Sequence, residues 1–330
     1  MKLSEELKSK NINFKNRIIM PPMATAKADK NGHVTEEILD YYREKTAAKL
    51  FAAVIVEHSF VNPVGRAGEN QISAADDSCI EGLKRLADVI KSNDSLAILQ
   101  ISHAGSAASE AVIGDRPVGP SKILNPSSAK GEMPRELKVE EIEALTDDFV
   151  KAALRAWKAG FDGVEIHSAH GYMLNQFLSP LTNKRTDEYG GGIEGRIKIH
   201  LDIIKKIREE LGKDYPIFLR MGAGDYLKGG LTEEDAVYAA KAFEKAGVDV
   251  LDISGGMCRY SIEDTKPGYF DFLSKPIFEN VNVSVILTGG VKKGMDVEDI
   301  LGRGVCDLVG VGRSVYKDSK WIEREIKPII

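Results

Sequence analysis

Cysteine is scarce in this 330-residue chain: Cys79, Cys258 and Cys306 stand far apart and no CxxC pair occurs. That spacing argues against a disulfide framework, a zinc site or an iron–sulfur cluster, and leaves the three as small buried hydrophobes. A basic surplus is missing as well, since the formal net charge is −5 and the pI is near 5.8. Nothing is left over to neutralise a nucleic-acid backbone. No run approaches the roughly 18 apolar residues of a membrane helix, and the opening MKLSEELKSKNINFKNRIIM is charged throughout, with no apolar signal core. A cytoplasmic protein that meets neither nucleic acid nor membrane is expected. Repeats, low-complexity tracts and composition shifts are absent too, so residues 1–330 read as one domain.

What is present is an alternation. Short runs of strand-forming residues recur at RIIM (17–20), AAVIVE (52–57), LAILQIS (96–102), GVEIH (163–167), PIFLRM (216–221), DVLDIS (249–254), VSVILTG (283–289) and DLVGVG (307–312). Between them, apolar residues fall three, four or seven apart, as in Ile142, Leu145, Phe149, Ala152 and Ala156, or Ile193, Ile197, Leu201, Ile204 and Leu211. Such spacing marks helix faces, and several of these helices end in glycine: WKAGFDG, EELGKD, EKAGVD and LGRGVCD. Eight strand–helix alternations predict an α/β fold, the (β/α)8 TIM barrel. Residues 103–138 break the rhythm, being rich in Gly, Pro, Ser and Ala without a lasting period. A loop of that length after the third strand is expected to form a wall or lid over the barrel mouth, a plain surface excursion being the other reading.

Barrel enzymes work at the C-terminal ends of their strands, so the residues there form the candidate site. In strand order they are Pro21, Pro22, Met23 and Ala24; Glu57 and His58; Gln100 and His103; His167, His170 and Tyr172; Arg220; Ser254, Gly255 and Gly256; Thr288, Gly289 and Gly290; Gly312 and Arg313. They hold no carboxylate cluster for a metal and no Ser-His-Asp or Cys-His nucleophile, so a bound group must carry the reaction. Glycine backbone N–H groups at 289, 290 and 312, with Arg313, suit a phosphate, although ligand-free tight turns would use the same glycines. Arg220, aimed at the axis, needs an anion or electron-rich acceptors; an inward carboxylate such as Glu165 is an alternative partner. Gln100 both donates and accepts, which suits the pyrimidine edge of a flavin.

Taken together, NFKNRIIMPPM (13–23), VEHSFVNPVGR (56–66), LQISHAG (99–105), AGFDGVEIHSAHGYMLNQFLSPLTNKRTDEYGG (159–191), FLRMGAGDY (218–226) and LVGVGR (308–313) resemble the old yellow enzyme family of FMN-dependent NAD(P)H:flavin oxidoreductases. The fourth stretch is long and specific, and the resemblance covers about residues 11 to 320. It implies bound FMN, with NADH or NADPH as a visiting hydride donor, and a small unsaturated molecule as substrate. FMN is favoured over FAD on the expectation that no G-x-G-x-x-G seats an adenine dinucleotide anywhere in the chain. Carried over by position, Pro21, Pro22, Met23, Ala24, His58 and Gln100 would line the flavin, and Arg220 would face its N1 and O2. Gly289, Gly290, Gly312 and Arg313 would hold its phosphate. His167 and His170 would bind the electron-withdrawing oxygen of an activated alkene, hydride would pass from flavin N5 to the β-carbon, and Tyr172 would protonate the α-carbon.

The chain departs from the family pattern in several places. Ala24 replaces a Thr or Cys that usually reaches flavin O4, so the family's usual flavin potential is not carried over; Ala26 stands where some relatives have Tyr, and Ser106-Ala107 replace a frequent Arg-Lys, so a roomier, less polar pocket is expected. The ending WIEREIKPII lacks the arginine ahead of an aromatic end that some relatives send into a neighbour, so their dimer arrangement is not carried over and a homo-oligomer is left open. The cysteine run of longer relatives with an iron–sulfur cluster is missing, so electron feed by that route is not expected. A flavin-free isomerase or aldolase acting on a phosphorylated substrate is the rival reading, although no strand end offers a Schiff-base lysine. Cys258, Arg259 and Tyr260, on the 255–270 segment, either touch substrate or close their loop.

Overall fold

Strands buried on both faces of a parallel sheet read as continuous apolar runs, and all eight such runs pair. The strands are β1 (Ile18–Met20), β2 (Ala53–Phe60), β3 (Leu96–Ser102), β4 (Gly163–Ser168), β5 (Ile217–Gly222), β6 (Val250–Ser254), β7 (Ser284–Thr288) and β8 (Leu308–Gly310). Every ladder is parallel, and β8 returns to β1 with Val309 opposite Ile18, closing the expected (β/α)8 barrel. The computed structural model describes residues 1–128, 131–263 and 266–330. Around the barrel lie α1 (Glu36–Thr46), α2 (Ile80–Ser92), α3 (Val139–Lys158), α4 (Lys198–Leu211), α5 (Glu233–Ala246), α6 (Asp271–Phe278) and α7 (Gly294–Gly302), followed after β8 by the short helices Arg313–Lys317 and Trp321–Glu325. Gly160, Gly212, Gly247 and Gly304, just beyond four of these helices, all have positive φ, the conformation for which glycine ends were expected.

One helix face is set differently from the sequence expectation. Ile193 belongs to a separate turn (Ile193–Arg196), and the phase restarts at α4, which buries Ile199, His200, Ile203, Ile204 and Ile207; Leu201 and Leu211 are only half-buried.

The period of two along each strand sorts the barrel interior into layers. Ile19, Ile55, Ile98, Phe218, Val250, Ile286 and Leu308 fill its lower part, and a short hairpin (Leu7–Lys8 with Asn13–Phe14) plugs the floor with Phe14, whose ring meets Phe218 edge-on at 6.3 Å. Two residues further along, the same inward positions become Glu57, Gln100, Arg220, Asp252 and Thr288. The upper interior is therefore polar.

Within residues 103–138 the structure finds a helical turn (Glu110–Ile113) and two-residue strands, Val118–Gly119 and Arg135–Glu136, paired in parallel. Residues 129–130 of this loop lie outside the described residues. The polar run after β4 holds the loop in place: Gln176 Oε1 accepts from Ser106 N at 3.1 Å, Asn125 Nδ2 donates to Gly171 O at 2.8 Å, and Arg185 donates to Pro120 O and Leu137 O at 2.9 and 2.6 Å.

Candidate active site

β4 delivers His167 inward and then turns sharply, because His170 and Gly171 adopt φ of 61° and 73°. Gly171 is required: a Cβ there would lie 1.9 Å from Ser127 Oγ. The turn is held by Asn175 Oδ1, which accepts from Gly171 N at 2.7 Å, and by Gly255 O, which accepts from His170 N at 3.2 Å. It brings the rings of His167 and His170 to 5.2 Å and those of His167 and Tyr172 to 5.1 Å. Burial first, then neighbouring charge including Arg220, holds both histidines well below their usual range. Both are neutral at pH 7, so each has one N–H to give. His170 Nε2 engages Ser254 Oγ at 2.8 Å, and burial pushes the Tyr172 phenol up, which keeps its proton on.

His58 sits at a β-bulge between Val56 and Ser59, its ring 5.6 Å from Tyr172. Gln71 Oε1 accepts from Ala67 N, so its amide nitrogen faces His58 Nδ1 at 2.6 Å and the proton of the neutral ring is assigned to Nε2. Burial holds His58 down to about 4. His103, by contrast, is spent on the chain, its Nδ1 accepting from Gly105 N at 2.9 Å.

The layer beneath is charged. Arg220 faces Asp252, Nε to Oδ2 3.3 Å, while Gln100 Nε2 donates to Glu165 Oε1 at 2.7 Å. Arg220's carboxylate partner is therefore Asp252 and not Glu165. Arg220 Nε, His167 Nδ1, Thr288 Oγ1 and both Asp252 oxygens are buried without a hydrogen-bond partner among the described residues. A cation and orphaned polar atoms converging under a mouth fit a planar heterocycle that brings its own donors and acceptors. They fit the flavin expected from the sequence.

Four glycine and arginine positions meet at the ends of β7 and β8. A Cβ on Gly289 would strike the Tyr269 ring at 2.8 Å, and one on Gly290 the Lys266 carbonyl at 2.3 Å, so packing of the β6–α6 loop alone accounts for both glycines. Gly312 stands against Pro21 and Met23, and exposed Arg313 donates to Tyr269 Oη at 3.1 Å, with no carboxylate partner among the described residues. The backbone N–H groups of the three glycines and the Arg313 guanidinium remain suited to a phosphate. Pro21 is buried, Pro22 and Met23 are half-buried, and Ala24 is exposed. The Gly190–Gly195 run has the G-x-G-x-x-G spacing, but no strand precedes it, and its glycines pack on one another and on Arg185.

Two carboxylates organise the rim. Asp225, fully buried, accepts from Ser179 Oγ, Leu231 N and Met257 N at 2.6, 2.9 and 3.0 Å, and so joins the β5 and β6 loops to the segment after Tyr172. Its burial is not visible in the sequence motif that contains it. Glu57 accepts from Thr25 N and Oγ1, both at 2.7 Å, and fastens the loop after Ala24. Burial pushes Glu57 up to about 7, against the pull of its hydrogen bonds. A carboxyl raised above its unfolded value of about 4.3 contributes stability below that value and loses it as pH rises through the folded value. Wild-type protein should thus lose more stability between pH 5 and 8 than Glu57→Gln, with the difference changing by at most about 1.4 kcal/mol per pH unit; parallel urea-unfolding profiles would rule this out.

On the β6 loop the Tyr260 ring lies 5.9 Å from His170, and the Tyr260 carbonyl accepts from Tyr269 Oη at 2.7 Å. Arg259 (φ 65°) sits 5.8 Å from the Tyr260 ring, and Cys258 is half-buried, whereas Cys79 and Cys306 are buried. Residues 264–265 of that loop lie outside the described residues. An open cleft of about 760 Å³ beside Leu7, Lys8, Lys245 and Asp307 is walled by exposed lysines rather than converging buried groups.

Residues 2–328 match the model of the NADH:flavin oxidoreductase / NADH oxidase family. The chain is 38% identical over 318 residues to an NADH oxidase of Thermoanaerobacter brockii, covering 94% of this chain and 48% of that protein. It is 37% identical over 309 residues to an NADPH dehydrogenase of Bacillus cytotoxicus, covering 93% of this chain and 87% of that protein. The chain thus spans about half the length of the first relative and most of the second. The structure of an old yellow enzyme homologue from Zymomonas mobilis superposes with a TM-score of 0.86 at 25% identity, covering 98% of this chain and 92% of that one. Because the match takes in all eight strands and the loops that form the mouth, this chain belongs to the NADH:flavin oxidoreductase / NADH oxidase family, among the old yellow enzymes.

Proposed function

We propose that this oxidoreductase reduces activated alkenes, such as enones, nitroalkenes or related α,β-unsaturated compounds, at the barrel mouth. FMN, the family's cofactor, supplies when bound a hydride taken from NADH or NADPH and passed to the alkene. The backbone at Pro21–Ala24, with His58, Gln100 and Arg220, would hold the ring, and Gly289, Gly290, Gly312 and Arg313 its phosphate. His167 and His170, both neutral, donate to the substrate's carbonyl or nitro oxygen and stabilise the negative charge that builds there. Tyr172 keeps its proton until a carbanion-like centre accepts it. The observation that carries this reading is the convergence of the three rings, at 5.2 and 5.1 Å, beside Arg220, which pairs in register with His167.

The test is an anaerobic titration of the purified protein with NADH and NADPH, followed by a panel of enones, nitroalkenes and unsaturated acyl thioesters. The flavin bands should bleach with a nicotinamide and return with an alkene. Protein that stays colourless after FMN is added would instead favour a flavin-free enzyme acting on a phosphorylated substrate.

A further inference from the structure

Asp252 and Arg220 stand opposite each other in the β5–β6 ladder, with 3.3 Å between Oδ2 and Nε. Both are sealed from solvent, Arg220 at 4% exposure and Asp252 at 0%. Neither oxygen of Asp252 makes a hydrogen bond among the described residues. A buried carboxylate that braced the chain would accept backbone or side-chain donors, as Asp225 does. The strongest interaction left to Asp252 is therefore its charge on Arg220. Glu165, also at 0% exposure, lies across the same layer and is engaged by Gln100. Burial and the charge of Asp252 push Glu165 well up from its usual range. Asp252 is thus the carboxylate at ion-pair distance from the guanidinium beneath the mouth, while Glu165 is turned to Gln100.

We propose that Asp252 is a positioning residue that orients Arg220 and offsets its charge, keeping the midpoint potential of bound FMN below the value an uncompensated arginine would give. The proposal rests on the reading that FMN occupies this mouth with Arg220 beside its N1 and O2. Transfer of a hydride from NAD(P)H leaves NAD(P)⁺ and an anionic ring, and a cation at that edge favours the anion. A carboxylate behind the cation weakens that preference.

The experiment is the midpoint potential of the FMN-loaded protein at pH 7.5, for wild type, Asp252→Asn and Glu165→Gln. Asp252→Asn keeps the shape and removes the charge. It should shift the ratio of reduced-form to oxidised-form binding about tenfold toward the reduced form, an upward shift of about 30 mV for a two-electron couple. Glu165→Gln, at a carboxyl engaged by Gln100 and outside ion-pair distance of Arg220, should shift the ratio less than about twofold. An unchanged or lowered potential in Asp252→Asn overturns the proposal. Asp252→Ser serves as a second neutral variant, and loss of FMN or of the fold, read by circular dichroism, in both would also overturn it, since the carboxylate would then be structural. Failure of wild type to take up FMN sinks the functional reading and this proposal with it, whereas FMN-loaded protein with unshifted variants sinks the proposal alone.

Discussion

Arg220→Met unfolds in urea at pH 8 with a loss of about 3–5 kcal/mol, the cost of breaking a buried ion pair from one side. The magnitude follows from the surroundings, since Asp252 and Glu165 have no exposed surface and Asp252 has no hydrogen bond among the described residues to fall back on. Burial raises both carboxyls, and the charge of Asp252 raises Glu165 further; Arg220 pulls both back down, with the Gln100 hydrogen bond adding to this at Glu165. Without it both rise further. A carboxyl whose folded value is raised contributes stability below its unfolded value and loses it as pH rises, so the deficit against wild type shrinks at pH 5 and grows toward pH 8. Urea unfolding of both proteins at the two pH values measures this, and an equal deficit at each would show that Arg220 contributes by packing alone.

Tyr172→Phe should separate the two halves of the proposed reaction. The phenol hydroxyl makes no hydrogen bond to another described residue, so its removal costs little stability and leaves the ring in place beside His167 and His58. A positioned general acid contributes about 10²- to 10⁴-fold. Reoxidation by an enone should slow by that factor, while reduction by the nicotinamide, which needs no proton from this group, is spared. Stopped-flow absorbance of each half-reaction gives the answer; an equal fall in both would mean that Tyr172 is not the proton donor.

The barrel was legible because its strands are buried on both faces and its helices are closed by glycines that need positive φ. The short strands at Val118–Gly119 and Arg135–Glu136 were not, since two residues carry no period. Nor was the buried face of α4, whose phase restarts after the turn at Ile193–Arg196. At the site, His167, His170 and Tyr172 could be named from a contiguous motif, but Asp252 could not be matched to Arg220. Glu165 points inward too, and register alone sets it beside Gln100 while Asp252 falls opposite Arg220. Likewise, Gly289 and Gly290 look like phosphate glycines in the sequence, and only the structure adds that packing of the loop carrying Tyr269 also demands glycine there.

The amino-acid sequence by itself determined how many strands form, their order, and which side chains face the axis, because a period of two and local glycine chemistry are written along the chain. Which inward groups meet, and which of them hold a proton, was decided only by closing the barrel. Register between strands distant in sequence sets the first, and the loss of solvent on closure sets the second.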